Sequence, residues 1–406
     1  MSFNFDEVID RVGTHSSKWD TMEAKYGVSP KNGIAMWVAD MDFRAPQVVQ
    51  DALAGALKHG VHGYFGDDSE YRAALVSWMK RRHQWDVQPD WIVNATGLGN
   101  ALSLCIRSFS EPGEGIIVFS PVYHAFARII NATDRRIVES ELVQRDGRYY
   151  MDLDALAASL TGSEKMIIFC SPHNPGGRVW SPDELRQLAD FCEQHDLILV
   201  SDEVHNDLVY KGYQHHVIAR AVPSIHHRLV TLVATTKTFN LAGCMIGSMV
   251  ASDDALRNRL AHVAAATAGG RSFNRIGMLM CTAAWQGGDT WLDELIDYLS
   301  ENKRIFEDGV GKIPGLRAMQ IEATYLCWID FTNTGMNREE FLQTKMARYL
   351  TLADIDNPLW EPGQPRKKSR SVPKANRVDP LEAQNSPRTF AHSNFAPRTF
   401  LGARFW

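Results

Sequence analysis

One lysine organises the reading of this chain. In the stretch LVATTKTFNLAGCMIG (232–247), an apolar run with a strand expected over 230–234 ends in Thr235, Thr236 and Lys237. Lysine is strongly hydrated, so an apolar run that ends on one calls for a reason. A partly desolvated lysine has a depressed pKa and becomes a nucleophile able to form a Schiff base with an aldehyde. The hydroxyls just before Lys237 stand where an attached phosphate could be held. Taken alone, the stretch fits a lysine snorkelling out of a strand end better.

The surrounding elements decide between these readings. Short apolar runs alternate with amphipathic stretches: WIVNATG, GIIVFSP, EKMIIFCSP, LILVSDE and RLVTLVATT are separated by segments such as ALSLCIRSF and SPDELRQLADFCEQHD. Strands alternating with helices predict an α/β fold with a mostly parallel sheet covered on both faces. Ligands bind such sheets at the carboxyl ends of the strands. Five runs carry a polar or flexible group there: Gly97, Tyr123, Asn174, Asp202 and Lys237. That clustering favours a chemical role for Lys237. The GLGN turn at 97–100, between a strand and a helix, offers backbone N–H groups and a positive helix end to an anion.

Helices are expected at PQVVQDALAGALKHG, opened by Pro46 and stopped by Gly60, and at SEYRAALVSWMKRRH, with Ser69 as N-cap. Residues 1–45 read as an N-terminal arm that adds to a small domain, with WVADMDF (37–43) a loop. Residues 46–284 read as a large domain. Residues 285–350, with two helices flanking YLCWIDF, read as a smaller α+β domain. From 361 to 406 there are nine Lys/Arg against three Asp/Glu and little apolar periodicity, so 351–406 read as a poorly ordered tail.

With 406 residues, 22% of them charged, and a formal net charge of −5, the chain has the composition of a globular protein without a general attraction to nucleic acid or membranes. No apolar run is long enough to span a bilayer, and MSFNFDEVIDRV carries acids where a signal peptide carries bases. Six singly placed cysteines without a CxxC pair read as reduced core thiols, which places the protein in the cytoplasm; no metal site is expected.

The segments DRVGTHSSKWD, WVADMDF, GVHGY, PVYHAF, CSPHNPGGRVW, SDEVHNDLV, TKTFNLAG and EATYLCWIDF together resemble the pyridoxal-phosphate-dependent enzymes of the aspartate aminotransferase fold (fold type I). Within the class I/II aminotransferases they are most similar to the cystathionine β-lyase-like, carbon–sulfur lyase branch. The resemblance covers roughly residues 5 to 350 and implies pyridoxal 5′-phosphate (PLP) bound to Lys237. It implies Asp202 paired with the protonated ring nitrogen, Asn174 on the ring oxygen and Tyr123 stacked on the ring. Gly97, Leu98 and Thr236 would cradle the phosphate, with Tyr64 of the partner subunit in a homodimer. His205 stands where many aminotransferases have tyrosine, and Met245 where ordinary aminotransferases carry a phosphate-binding arginine; both departures favour the lyase branch.

The implied reaction is β-elimination from an L-amino acid such as cystathionine or cysteine, giving pyruvate, ammonia and a thiol. An aminotransferase of the same fold is the alternative, and a catalytically weak PLP-binding regulator the further one. Trp37, Asp40, His392 and Arg398 are the candidate substrate contacts. The family's carboxylate-gripping Arg-x-Asn motif is here His392-Ser393-Asn394, ahead of Pro397-Arg398, and imidazole does not replace a bidentate guanidinium. Residues 351–390 match no part of the pattern, which reads as an altered or frame-shifted coding region; a verified sequence that keeps His392 overturns that reading.

Overall fold

The computed structural model describes residues 3–31, 33–267 and 273–337, and the backbone of 400–404. Its centre is a seven-stranded sheet. In chain order the strands are β1 (Ile92–Ala95), β2 (Gly115–Ser120), β3 (Arg136–Glu141), the hairpin β4 (Val143–Arg145) and β5 (Arg148–Tyr150) outside the sheet, β6 (Glu164–Cys170), β7 (Ile198–Asp202), β8 (Leu229–Val233) and β9 (Gly247–Val250). Their spatial order is β1-β9-β8-β7-β6-β2-β3. All neighbours are parallel except β9, which pairs antiparallel with both β1 and β8. Because β1 and β8 both oppose β9, they point the same way, and the carboxyl ends of β1, β2, β6, β7 and β8 share one edge. The mostly parallel sheet is as expected; the antiparallel β9, over GSMV, carries no sequence signal that separates it from a loop.

Strands buried on both faces explain the continuous apolar runs. Along β2, Ile116 and Val118 pack with Leu102, Cys105 and Val200 on one face. Ile117 and Phe119 pack with Leu185, Leu188 and Leu199 on the other. Helix Pro182–Gln194 on that second face starts with Pro182 at its first turn and a reciprocal capping box between Ser181 and Glu184. A third apolar cluster joins helices Ser69–His83, Arg275–Gly287 and Asp289–Val310 through Trp78, Trp285, Trp291 and Phe239.

Helix Gln47–His59 ends at Gly60 with φ 75°, as its pattern predicts. The cap of helix Ser69–His83 is Asp68 rather than Ser69, because Asp67 captures both the Ser69 amide and its hydroxyl, at 3.0 and 2.9 Å. The strand expected over 230–234 lies one residue earlier. All six cysteines are free and buried. Among the described residues no helix is long and apolar enough to cross a membrane. A small antiparallel sheet orders β10 (Arg317–Ala318), β11 (Leu326–Asp330) and β12 (Phe400–Arg404) side by side, so the segment 400–404 of the expected tail is a strand. The helix expected after residue 337 and the rest of the tail lie outside the described residues.

The arm is held by charge. Lys18, fully buried, donates to Asp42 at 2.7 Å and to the Asp40 carbonyl at 3.0 Å, and Arg11 bridges Asp40 (2.9 Å) and Asp42 (2.5 Å). Trp19 Nε1 adds a hydrogen bond to Asp42 at 3.0 Å. Removing one partner of a buried ion pair strands the other and costs about 3–5 kcal/mol, whereas replacing the whole pair by apolar groups of similar volume is often neutral. Asp42→Ala, which leaves fully buried Lys18 without its close carboxylate, should therefore lower the thermal midpoint sharply, and Lys18→Met, which leaves Asp42 paired with Arg11, by less, as differential scanning calorimetry will show.

Candidate active site

Lys237 sits in the loop after β8, beside the end of β7 that carries Asp202. Its Nζ donates to the Ala39 carbonyl at 2.7 Å, and the Tyr325 hydroxyl donates to the same oxygen at 2.9 Å. Asn240, three residues on, clamps the same segment: its side-chain oxygen accepts from Met41 N at 2.8 Å, and its amide donates to the Met41 and Phe43 carbonyls at 2.7 and 3.2 Å. The ion network at Asp40 and Asp42 and the Asn240 clamp on Met41 and Phe43 thus fix the segment that follows Ala39.

Asp202 is buried at the end of β7. Burial pushes its carboxyl up to about 6, against the opposing pulls of the Val204 N–H and the Lys237 charge. The Lys237 charge therefore acts on the Asp202 carboxyl across the ends of β7 and β8. Asn174 is buried in the turn after β6, its amide on Cys170 Sγ at 3.3 Å, and Cys170 is the β-partner of Asp202. Tyr123 is half-buried after β2, edge-on to Phe126 at 5.7 Å. His205 is buried with its ring edge-on to Tyr325 at 5.6 Å.

At the end of β1, Gly97 has φ 83° and caps helix Leu98–Phe109. A left-handed residue there lets the chain turn so that the first helical amides face outward, which a side chain would strain. Gly247 opposite has no room for substitution: a Cβ would lie 2.6 Å from Leu98 Cδ2 and 3.1 Å from Leu98 N. Thr236 is half-buried in the same loop as Lys237. Glycine cradle, helix amino end, amine and buried acid together form an anion site, an aldehyde-reactive nitrogen and a countercharge for a ring cation, so the residues present fit PLP.

The candidate substrate residues are placed differently. Trp37 Nε1 donates to the Lys18 carbonyl at 2.9 Å, and the Asp40 carboxylate pairs with Arg11. What the segment offers Lys237 is the Ala39 carbonyl. Tyr64 is 93% exposed and does not touch this chain's site. His392 and Arg398 lie outside the described residues. Among the described residues no group of His, Cys, Asp and Glu could hold a metal ion.

Residues 34–354 match the family described as aminotransferase class I and II. The chain belongs to that family. Class I and II membership accounts for the strand-end arrangement above, and its limit at 354 falls close to where the sequence pattern stops. Among curated relatives, the chain is 36% identical to cystathionine beta-lyase PatB of Bacillus subtilis over 347 residues, 85% of this chain and 89% of that one. Among solved structures, cystalysin from Treponema denticola, described as containing a pyridoxal 5′-phosphate cofactor, superposes with a TM-score of 0.82 at 36% identity, covering 86% of this chain and 90% of that one. The PLP-bound C–S lyase from Staphylococcus hominis gives 0.77 at 30% identity, covering 84% and 88%. The fold is therefore that of the PLP-dependent aminotransferase-like proteins.

Ala39, Asn240 and Tyr325 were not legible as site residues, since each acts through an atom or partner far off in sequence. The pH behaviour of Asp202 tests the site. An acid raised from 3.8 to about 6 keeps its proton longer when folded, so its contribution to stability is full below about pH 4 and is lost as pH rises through 6. Two pKa units correspond to roughly 3 kcal/mol. Asp202→Asn should raise the thermal midpoint of the coenzyme-free protein at neutral pH, with the gain closing toward pH 4 in calorimetric scans.

Proposed function

We propose that the protein is a PLP-dependent carbon–sulfur β-lyase acting on L-cystathionine or cysteine-type amino acids. The observation that carries this reading is the Lys237 charge acting on buried Asp202 at the end of the adjacent strand, with the Gly97 anion cradle on the same sheet edge, in a chain similar to carbon–sulfur lyases. Gly97, Leu98 and Thr236 would hold the phosphate, Asn174 the ring oxygen, Tyr123 one ring face, and Asp202 the ring nitrogen. Bound there, the coenzyme supplies an electron sink that makes the substrate's α-proton acidic.

The chain's own residues do the rest. Lys237 Nζ is the base that takes the α-proton, and the Ala39 carbonyl 2.7 Å away holds the resulting ammonium in place. Asp202 supplies the fixed negative charge that keeps a ring cation stable in a buried setting. The carbon–sulfur bond breaks with its electron pair leaving on sulfur, and hydrolysis of the remaining fragment gives pyruvate and ammonia. His205 packed on Tyr325 closes the site beside Ala39.

We further propose a homodimer. Tyr64, Leu57 and Val61, at 93, 64 and 65% exposure, and Met245, 55% exposed beside Gly97, present apolar side chains that a second copy would cover, bringing Tyr64 of the partner subunit to the phosphate. The division into a large domain over 46–284 and a small one over 285–350 is carried forward as a proposal, as is a cytoplasmic location.

The deciding experiment incubates PLP-loaded protein with cystathionine, with cysteine, and with an amino-acid/keto-acid pair. Pyruvate and thiol release is expected; keto-acid-dependent amino transfer without pyruvate from cystathionine would assign the aminotransferase reaction instead. Lys237→Ala should lose both the visible absorbance of the lysine-bound coenzyme and turnover, and a variant active at the wild-type rate would refute the proposal.

A further inference from the structure

Behind Lys237 lies a buried polar chain that the elimination does not use. Asp207, five residues beyond Asp202, has a carboxylate only 2% exposed. It lies 2.6 Å from His83 Nε2 and accepts from Trp78 Nε1 at 3.0 Å and from Thr238 Oγ1 at 2.7 Å. Thr238 is the residue after Lys237. Burial pushes the Asp207 carboxyl up, and its His83, Thr238 and Trp78 partners more than reverse that, holding it below the usual carboxylate range.

A second pair mirrors the first. Glu203, the residue after Asp202, is fully buried, 2.8 Å from His215 Nε2, and accepts from Ser201 Oγ at 2.9 Å and Ile218 N at 3.2 Å. The His83 and His215 rings meet edge to face at 6.0 Å. The residue following each of the two chemical groups is therefore anchored in one buried network, which His83 and Trp78 tie to helix Ser69–His83.

We propose that Asp207, acting through the Thr238 hydroxyl and braced by His83 and Trp78, is a positioning residue that sets Lys237 relative to Asp202. The inference rests on Lys237 carrying the coenzyme. A buried carboxylate suits this task because it accepts several donors at once, and each charge-assisted hydrogen bond is short and directional. Without it the Lys237 loop keeps its apolar anchor, Phe239, but loses the polar tie adjacent to the lysine. Small displacements of a reacting group matter: about 1 Å can lower a rate by about a hundredfold.

The test uses coenzyme-loaded wild-type protein, Thr238→Val, Thr238→Ser, Asp207→Asn and the Asp207→Asn/Thr238→Val double variant. Thr238→Val should lower kcat on cystathionine by about tenfold or more, with KM changing far less, and should alter the visible circular dichroism of the bound coenzyme. Thr238→Ser should restore both. The double variant should be no worse than the poorer single one, because both break the same contact. If Asp207→Asn fails to fold, the Thr238 pair decides alone. Thr238→Val with wild-type kcat and dichroism, even at a lowered thermal midpoint, overturns the proposal, as does failure of serine to rescue. A wild-type protein that binds the coenzyme but releases no pyruvate refutes the lyase reading while the dichroism still judges Asp207.

Discussion

A carboxylate removed from water at the end of a central strand is the constraint to which the site answers. Asp202 lies where desolvation disfavours its charge, and the nearby positive charge is that of Lys237, on the neighbouring strand end. The β7–β8 ladder fixes the acid's strand end beside Leu232, whereas the amine, in the loop five residues further on, is placed by that loop's own ties, its Nζ to the Ala39 carbonyl and Thr238 to Asp207. The site's central pair thus rests on the sheet ladder for the acid and on side-chain hydrogen bonds for the amine.

Around that pair the protein uses different materials on different sides. On the arm side, a buried ion cluster of Arg11, Lys18, Asp40 and Asp42 and the Asn240 clamp immobilise a loop that would otherwise have no regular structure to hold it. On the helix side, aromatic packing among Trp78, Trp285, Trp291 and Phe239 backs the loop that follows Lys237. Along the sheet edge, Gly97 supplies a positive φ that a side chain would strain, and Gly247 lets two backbones approach where a Cβ would crowd Leu98. Each is a local solution to placing irregular chain beside a rigid sheet.

The strand ends were legible because each apolar run stops abruptly at a polar or glycine residue, and the α/β alternation that places them on one edge is a pattern of period and length. Helix limits near Gly60 and Pro182 were legible for the same local reason. What sequence could not give are partners distant along the chain: the carbonyl of Ala39 meets an amine 198 residues away, and His83 meets Asp207 across 124. At Asp40, whose charge invites a substrate contact, nothing in the sequence signals the pairing with Arg11, 29 residues away. The antiparallel β9 escaped because its four residues, two of them glycine and serine, show neither alternation nor a long apolar run.

The burial of all six cysteines bears on the product that the proposed reaction liberates. Mixed disulfides form when an accessible thiolate meets another sulfur compound. Cys170, next to Asp202 on the ladder, is held in its neutral form by burial and by that neighbouring acid. A catalyst working in a rising concentration of small mercaptans therefore presents them no sulfur of its own to exchange with, and keeps its thiol inventory out of the chemistry it performs.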